Sequence, residues 1–145
     1  MKLALALSFL LVVSCSNPVP SVLSQEAEEK SIRDVLKAQE DAWNRADIDA
    51  FMTGYWKSDS LQFIGSKITR GWDSTLVRYK RTYPTSEMMG QLRFDLYEFN
   101  FLSANACLVT GRYNLKRAQD APTGMFTLLF RKKEGTWVIV YDHTS

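Results

Sequence analysis

His143 is the only histidine in the chain, and it directly follows Asp142 near the end of the sequence. Imidazole changes charge near neutral pH, so His143, with Asp142 or a neighbouring tyrosine, is the candidate acid or base. A second reading gives His143 a structural hydrogen bond that holds the chain end in place, as most polar side chains near a core do. Trp43, Tyr55, Trp56, Trp72 and Tyr79 form another group. Such rings either line a pocket for a flat or apolar ligand, oriented by tyrosine hydroxyls, or fill a core. Arg112 falls mid-strand on a face with Thr110 and Asn114. It either pairs with Asp142 or Asp95 or presents its charge to an anionic ligand. The candidate ligand-binding set is therefore Trp43, Tyr55, Trp56, Tyr79, Arg112 and His143.

Several chemistries have no residues to carry them. A lone histidine without a second His or Glu at helical spacing gives no metal site, and no cofactor motif is present. No Ser/His/Asp order, Cys/His pair or phosphate-cradling glycine loop occurs. Cys107 sits in a strand-like stretch and reads as a small buried apolar side chain rather than a nucleophile. The formal net charge of +2 is close to balanced, which argues against nucleic acid as a partner, because phosphate binding needs a clustered basic surface.

The N-terminus carries a different kind of signal. Met1-Lys2 is followed by an uncharged apolar run from Leu3 to Val13, the pattern of a secretory signal and shorter than the roughly 20 residues that span a bilayer. Val12-Val13-Ser14-Cys15 resembles the lipobox of bacterial lipoproteins. Residues 1–14 are expected to be removed, leaving Cys15 lipidated. Residues 15–27 then form a flexible tether, with Pro18 and Pro20 in an uncharged stretch. The expected location is the cell envelope, outside the cytoplasm, with the membrane as a partner through the lipid anchor. The folded body is expected over residues 28–145.

Within that body Ser31 is positioned to cap a helix in which Ile32, Val35, Leu36, Gln39, Ala42, Trp43 and Ala46 share a stripe. Asp47 caps a second, shorter helix with Ile48, Phe51, Met52 and Tyr55 in register. Leu61–Ile64 reads as a short strand. Gly71 then opens a third helix carrying Trp72, Leu76, Tyr79 and Tyr83, which Pro84 closes. Only strands are expected after it: about Met88–Phe101, Ala104–Arg117, Met125–Arg131 and the final Gly135–Ser145 segment. A phase change at Tyr97 predicts a bulge, and Gly111 predicts a bend or a close approach. In the last strand, alternation places Trp137, Ile139, Tyr141 and His143 on one face. The expected fold class is α+β, with three N-terminal helices packed on a strongly curved antiparallel sheet that forms a cone. Both faces of Met125–Phe130 are apolar, which predicts a homodimer through the convex sheet face.

Ala42-Trp43-Asn44-Arg45-Ala46-Asp47-Ile48-Asp49, Gly71, Gly124–Phe130 and Gly135-Thr-Trp-Val-Ile139 together resemble the nuclear transport factor 2-like superfamily, which includes ketosteroid isomerases and polyketide-cyclase-like proteins. The resemblance covers roughly residues 30–145 and implies a cone with a pocket, commonly dimeric, without implying one activity. The isomerase branch has a catalytic tyrosine where this chain has Gln39, and a general-base aspartate where it has Phe63 or Ile64. An amide is no strong acidic donor and an apolar side chain takes no proton, so that chemistry is disfavoured. Three functions follow: binding of a small, partly apolar ligand without catalysis; proton transfer of the cyclase or isomerase type through His143; or a dimeric interaction module with a filled cone.

Overall fold

The computed structural model describes residues 22–145. The signal segment 1–14 and the lipidation site Cys15 lie outside the described residues, as does the tether up to residue 21.

Helix α1 runs Val22–Asn44, so the last part of the expected tether is helical. Ser31 is inside this helix rather than at its cap, and its hydroxyl donates to the Ala27 carbonyl at 3.0 Å. The charged lead-in explains the earlier start. Arg33 pairs with Glu29 and Lys30 with Asp34, each four residues apart, a spacing that favours helix by about 0.3–0.5 kcal/mol per exposed pair. Ile32, Leu36, Gln39, Ala42 and Trp43 form the buried face. Helix α2 (Ile48–Met52) is capped by Asp47, whose carboxylate accepts from Ala50 N at 2.9 Å.

Strands β1 (Gln62–Ile64) and β2 (Ile68–Arg70) form a small antiparallel pair, of which the sequence reading anticipated only the first. Helix α3 spans Trp72–Thr82 and opens at Gly71, whose φ of 86° lies in the region glycine tolerates best. A fourth, one-turn helix, α4 (Ser86–Met89), follows, capped by Thr85. It is too short to show a period, which is why the sequence assigned this region no helix.

The sheet is completed by β3 (Gln91–Ser103), β4 (Ala106–Lys116), β5 (Thr123–Lys133) and β6 (Thr136–Thr144). The six strands lie in the order β2-β1-β6-β5-β4-β3. The sheet is antiparallel, as expected, with one parallel pair, β1 and β6. The chain between β1 and β6 is far longer than the dozen or so residues that parallel neighbours need to connect them.

Curvature has identifiable sources. The β3–β4 register shifts between Leu96 and Glu98, as the phase change predicts, and again between Phe101 and Ser103. A Cβ at Gly111 would lie 2.5 Å from Phe126 Cζ and 2.6 Å from the Asp95 carbonyl, so only glycine permits this approach of β3, β4 and β5. Glu134 and Gly135 both take positive φ, 50° and 82°, the two-residue hairpin turn that matches the strand twist. Helix α1 closes over the concave face and is fastened to the β3 edge. Asn44 exchanges hydrogen bonds with the Leu92 backbone at 2.6 and 2.9 Å, and Glu40 accepts from Phe94 N at 2.9 Å. Those side chains occupy backbone groups that an open edge strand would otherwise expose.

Candidate functional site

A third register shift determines the site. Strand β6 pairs Tyr141 with Leu129 and Ile139 with Phe130, leaving Val140 as an extra residue. Trp137 and Ile139 face the core, and beyond the bulge the inward positions become Asp142 and Thr144. Directly paired residues share a face. Val109, Leu128, Asp142 and Phe63 therefore form one row across four strands, all buried. Thr110, Thr127, His143 and Ile64 form the neighbouring row on the outer face. His143 is exposed. Simple alternation from Trp137 would carry His143 inward, as expected from sequence; the bulge instead turns it out and brings Asp142 in.

Tyr55 is placed by the same strand. Past α2 the chain runs alongside β6, with Ile139 N donating to the Gly54 carbonyl and Trp56 N to the Ile139 carbonyl, both at 2.9 Å. Tyr55 thereby projects into the cone, and its hydroxyl donates to Asp142 Oδ2 at 2.7 Å. The Thr144 hydroxyl donates to Asp142 Oδ1 at 2.6 Å. Tyr79, from α3, brings its hydroxyl to 3.5 Å from that of Tyr55, the limit of a hydrogen bond. With the Tyr55 proton directed at Asp142, Tyr79 is the donor in that contact. Asp142 is 3 % exposed. Burial pushes its carboxyl up to about 6, against the opposing effects of the Thr144 and Tyr55 hydrogen bonds and of the His143 and Arg78 charges. The Tyr55 and Tyr79 phenols are both raised, first by burial and then by the Asp142 charge.

These groups border a cavity of about 180 Å³ under the helices. Trp43, Phe51, Tyr79 and Tyr83 form its helical wall, and Phe94, Phe126, Leu128 and Tyr113 its sheet wall. The rings interlock edge to face: Trp43 against Phe51 at 5.2 Å and Tyr83 at 4.8 Å, and Phe94 against Phe126 at 5.5 Å. Trp43 has its indole N–H engaged by the Met89 carbonyl at 3.1 Å, so it offers the cavity a ring edge and no donor.

Of the residues proposed from sequence, Trp43, Tyr55, Tyr79 and Asp142 meet at this cavity. Trp56, Arg112 and His143 do not line it. Trp56 lies under the Lys133 ammonium, 4.2 Å from its ring centre. Arg112 points outward, its Nε donating to the Tyr97 hydroxyl at 3.1 Å, and neither Asp95 nor Asp142 pairs with it among the described residues. Asp95 instead meets Arg93 and Asn114. Trp72 donates its indole N–H to the Met52 carbonyl at 2.9 Å and holds α2 to α3. Cys107 is buried, and burial pushes its thiol up to about 12, the condition of an inert thiol. Among the described residues no group of His, Cys, Asp and Glu is arranged to hold a metal ion.

Gln39 and Phe63 both border the cavity. Gln39 is buried with its amide donating to the Phe51 carbonyl at 3.0 Å, and Gly54 leaves room for it, since a Cβ there would lie 2.6 Å from Gln39 Cδ. Sequence reasoning passed over Arg78. This residue borders the cavity, and its guanidinium donates through Nη1 to the Lys67 carbonyl at 3.1 Å and the Thr69 hydroxyl at 2.9 Å and lies 4.7 Å from the centre of the Phe63 ring. The available signal was the polar stripe Thr75, Arg78 and Thr82 beside the apolar stripe of α3.

A curved sheet wrapped by helices around an aromatic hollow, with one buried carboxyl in its wall, defines the nuclear transport factor 2-like, or cystatin-like, class. The comparisons agree and go further: the profile of the SnoaL-like domain matches residues 32–145. The chain belongs to the SnoaL-like domain family. It is similar to a solved NTF-2-like protein of unknown function from Shewanella oneidensis MR-1, at 47 % identity over 81 % of this chain and 98 % of that one, with a TM-score of 0.79. A ketosteroid isomerase-like protein from Erwinia carotovora atroseptica SCRI1043 shares the fold at 23 % identity over 81 % of this chain and 95 % of that one, TM-score 0.64. An NTF2-like protein of unknown function from Pseudomonas putida KT2440 does so at 18 % identity over 83 % and 87 %, TM-score 0.64. No curated protein matches the chain in sequence.

Proposed function

We propose that the protein binds a small, partly apolar organic molecule in the cone, whose wall presents the Tyr79–Tyr55–Asp142 chain. One observation carries this reading: a cavity of about 180 Å³ walled by aromatic rings, with Asp142 as the one carboxyl in its lining among the described residues. Apolar cavities of roughly 150 Å³ already admit a single ring, so the fitting ligand is about one ring in size. An open hollow of this size weighs against a filled cone serving only as an interaction module.

Asp142 supports a second reading, an acid–base enzyme of the cyclase or isomerase type. A carboxyl held at about 6 exchanges its proton near neutral pH, as a general acid or base must. In this reading Asp142 and Tyr55 take the part that the sequence offered to His143.

The Met1–Cys15 pattern supports attachment to the cell envelope through a lipid on Cys15, on the extracytoplasmic side. Tyr97, Leu102 and Met125 are exposed large apolar side chains, and Tyr97 and Met125 adjoin Arg112 on the convex face, which supports a homodimer through that face. Native mass spectrometry of protein purified gently from its own envelope tests these readings together. A retained small-molecule mass and twice the subunit mass are expected. Bare monomer, with no small molecule retained or taken up from a one-ring fragment set, would contradict them.

A further inference from the structure

We infer that the ligand is a small monocarboxylic acid whose carboxylate is held by Arg78 at the cavity wall; this rests on the small-molecule reading above and specifies the ligand's charge. Among the described residues Arg78 and Asp142 are the only charged ones bordering the cavity, and they do not pair with each other. Asp142 already has an answer to its burial in two hydroxyl donors. Arg78 has none of that kind. It is partly buried, and its hydrogen bonds to the described residues both leave from Nη1 toward neutral oxygens. Nε and Nη2 have no acceptor among the described residues, and no carboxylate of those residues forms an ion pair with it.

Three features make this a receptor for an anion rather than a solvated surface arginine. The guanidinium is fixed from behind by Lys67 and Thr69 and lies against the Phe63 ring, so it is oriented before any ligand arrives. Its unused donors are those a carboxylate takes up as a pair. The sheet side of the cavity carries Phe94, Phe126 and Leu128, which suits the body of an organic acid better than an inorganic anion that has nothing to bury. The Arg78 charge is felt by Asp142, but no carboxylate of the described residues pairs with it directly, and a bound carboxylate supplies that direct partner.

Titration of the full chain with 4-fluorobenzoate and, separately, with the neutral 4-fluorobenzamide, followed by fluorine NMR at pH 7, tests the inference without altering the protein. The acid is expected to bind about tenfold more tightly than the amide, one charge-assisted pair's worth. In Arg78→Gln that preference should vanish while amide binding persists, and Arg78→Lys, which keeps the charge, should restore part of it. Equal affinity of acid and amide would overturn the inference and leave the small-molecule reading standing. Failure of both to bind a protein whose NMR spectrum is that of the folded chain would overturn both.

Discussion

The Tyr55 hydroxyl donates to Asp142 across 2.7 Å, joining residues 87 positions apart in the chain. One belongs to the segment leaving α2 and the other to the final strand, so the contact ties the helical cover to the sheet at the cavity wall.

Removing that donor should be felt mainly where Asp142 is ionised. Tyr55→Phe keeps the ring and deletes one hydrogen bond to a buried carboxylate, a loss of about 2 kcal/mol. Urea unfolding at pH 7.5 should report this loss, and at pH 5, where the carboxyl is largely protonated, the loss should be smaller. Equal losses at both pH values would count against the assigned protonation.

Asp142 itself makes stability depend on pH in an unusual direction. Its carboxyl is raised from 3.8 to about 6, so between these values the folded state binds more protons than the unfolded one. The sign follows: stability associated with this group is full below about pH 4 and is lost as pH rises through 6, by about 3 kcal/mol in all. Asp142→Asn mimics the protonated form in size. The difference in unfolding free energy between variant and wild type should grow from near zero at pH 4 to that order at pH 7.5, in favour of the variant.

His143 should be dispensable. It is exposed on the outer face beside Thr127 and Ile64, and exposed substitutions outside special sites change stability by no more than about 0.5 kcal/mol. His143→Ala is expected to match wild type in thermal unfolding and in ligand uptake; a loss of uptake would restore the acid–base role to the imidazole.

Gly111 is needed for shape. A methyl group there meets Phe126 and the Asp95 carbonyl at once, and the latter is backbone that cannot swing aside. Gly111→Ala should cost about 1–3 kcal/mol, the range for overpacking, and calorimetry would show it as a lowered Tm.

Much of this architecture is legible in residue patterns. Phe126, Leu128 and Phe130 alternate with exposed or half-exposed neighbours and are all buried, and the phase change at Tyr97 is a real bulge. Asp47 caps α2 as its type and position indicate. The aromatic half of the site follows from the helical stripes that bring Trp43 and Tyr79 inward. What pattern alone does not disclose is the Val140 bulge, because Val138, Val140 and Tyr141 are all half-buried and leave no polar residue to mark the switch. That single inserted residue decides whether Asp142 or His143 enters the cone. Arg78 was hidden for another reason: a charged residue on a helix flank reads as solvent-facing until the Phe63 strand is known to lie against it.

Inside the cone the titrating group is the Asp142 carboxyl, while the imidazole lies outside it. Carbon NMR of the Asp142 carboxyl across pH 3 to 9 measures this directly. An apparent pKa near 6, rising further in Tyr55→Phe as a hydrogen bond to the charged form is lost, is the predicted result. A value near 4 that the Tyr55 change leaves unmoved would contradict it.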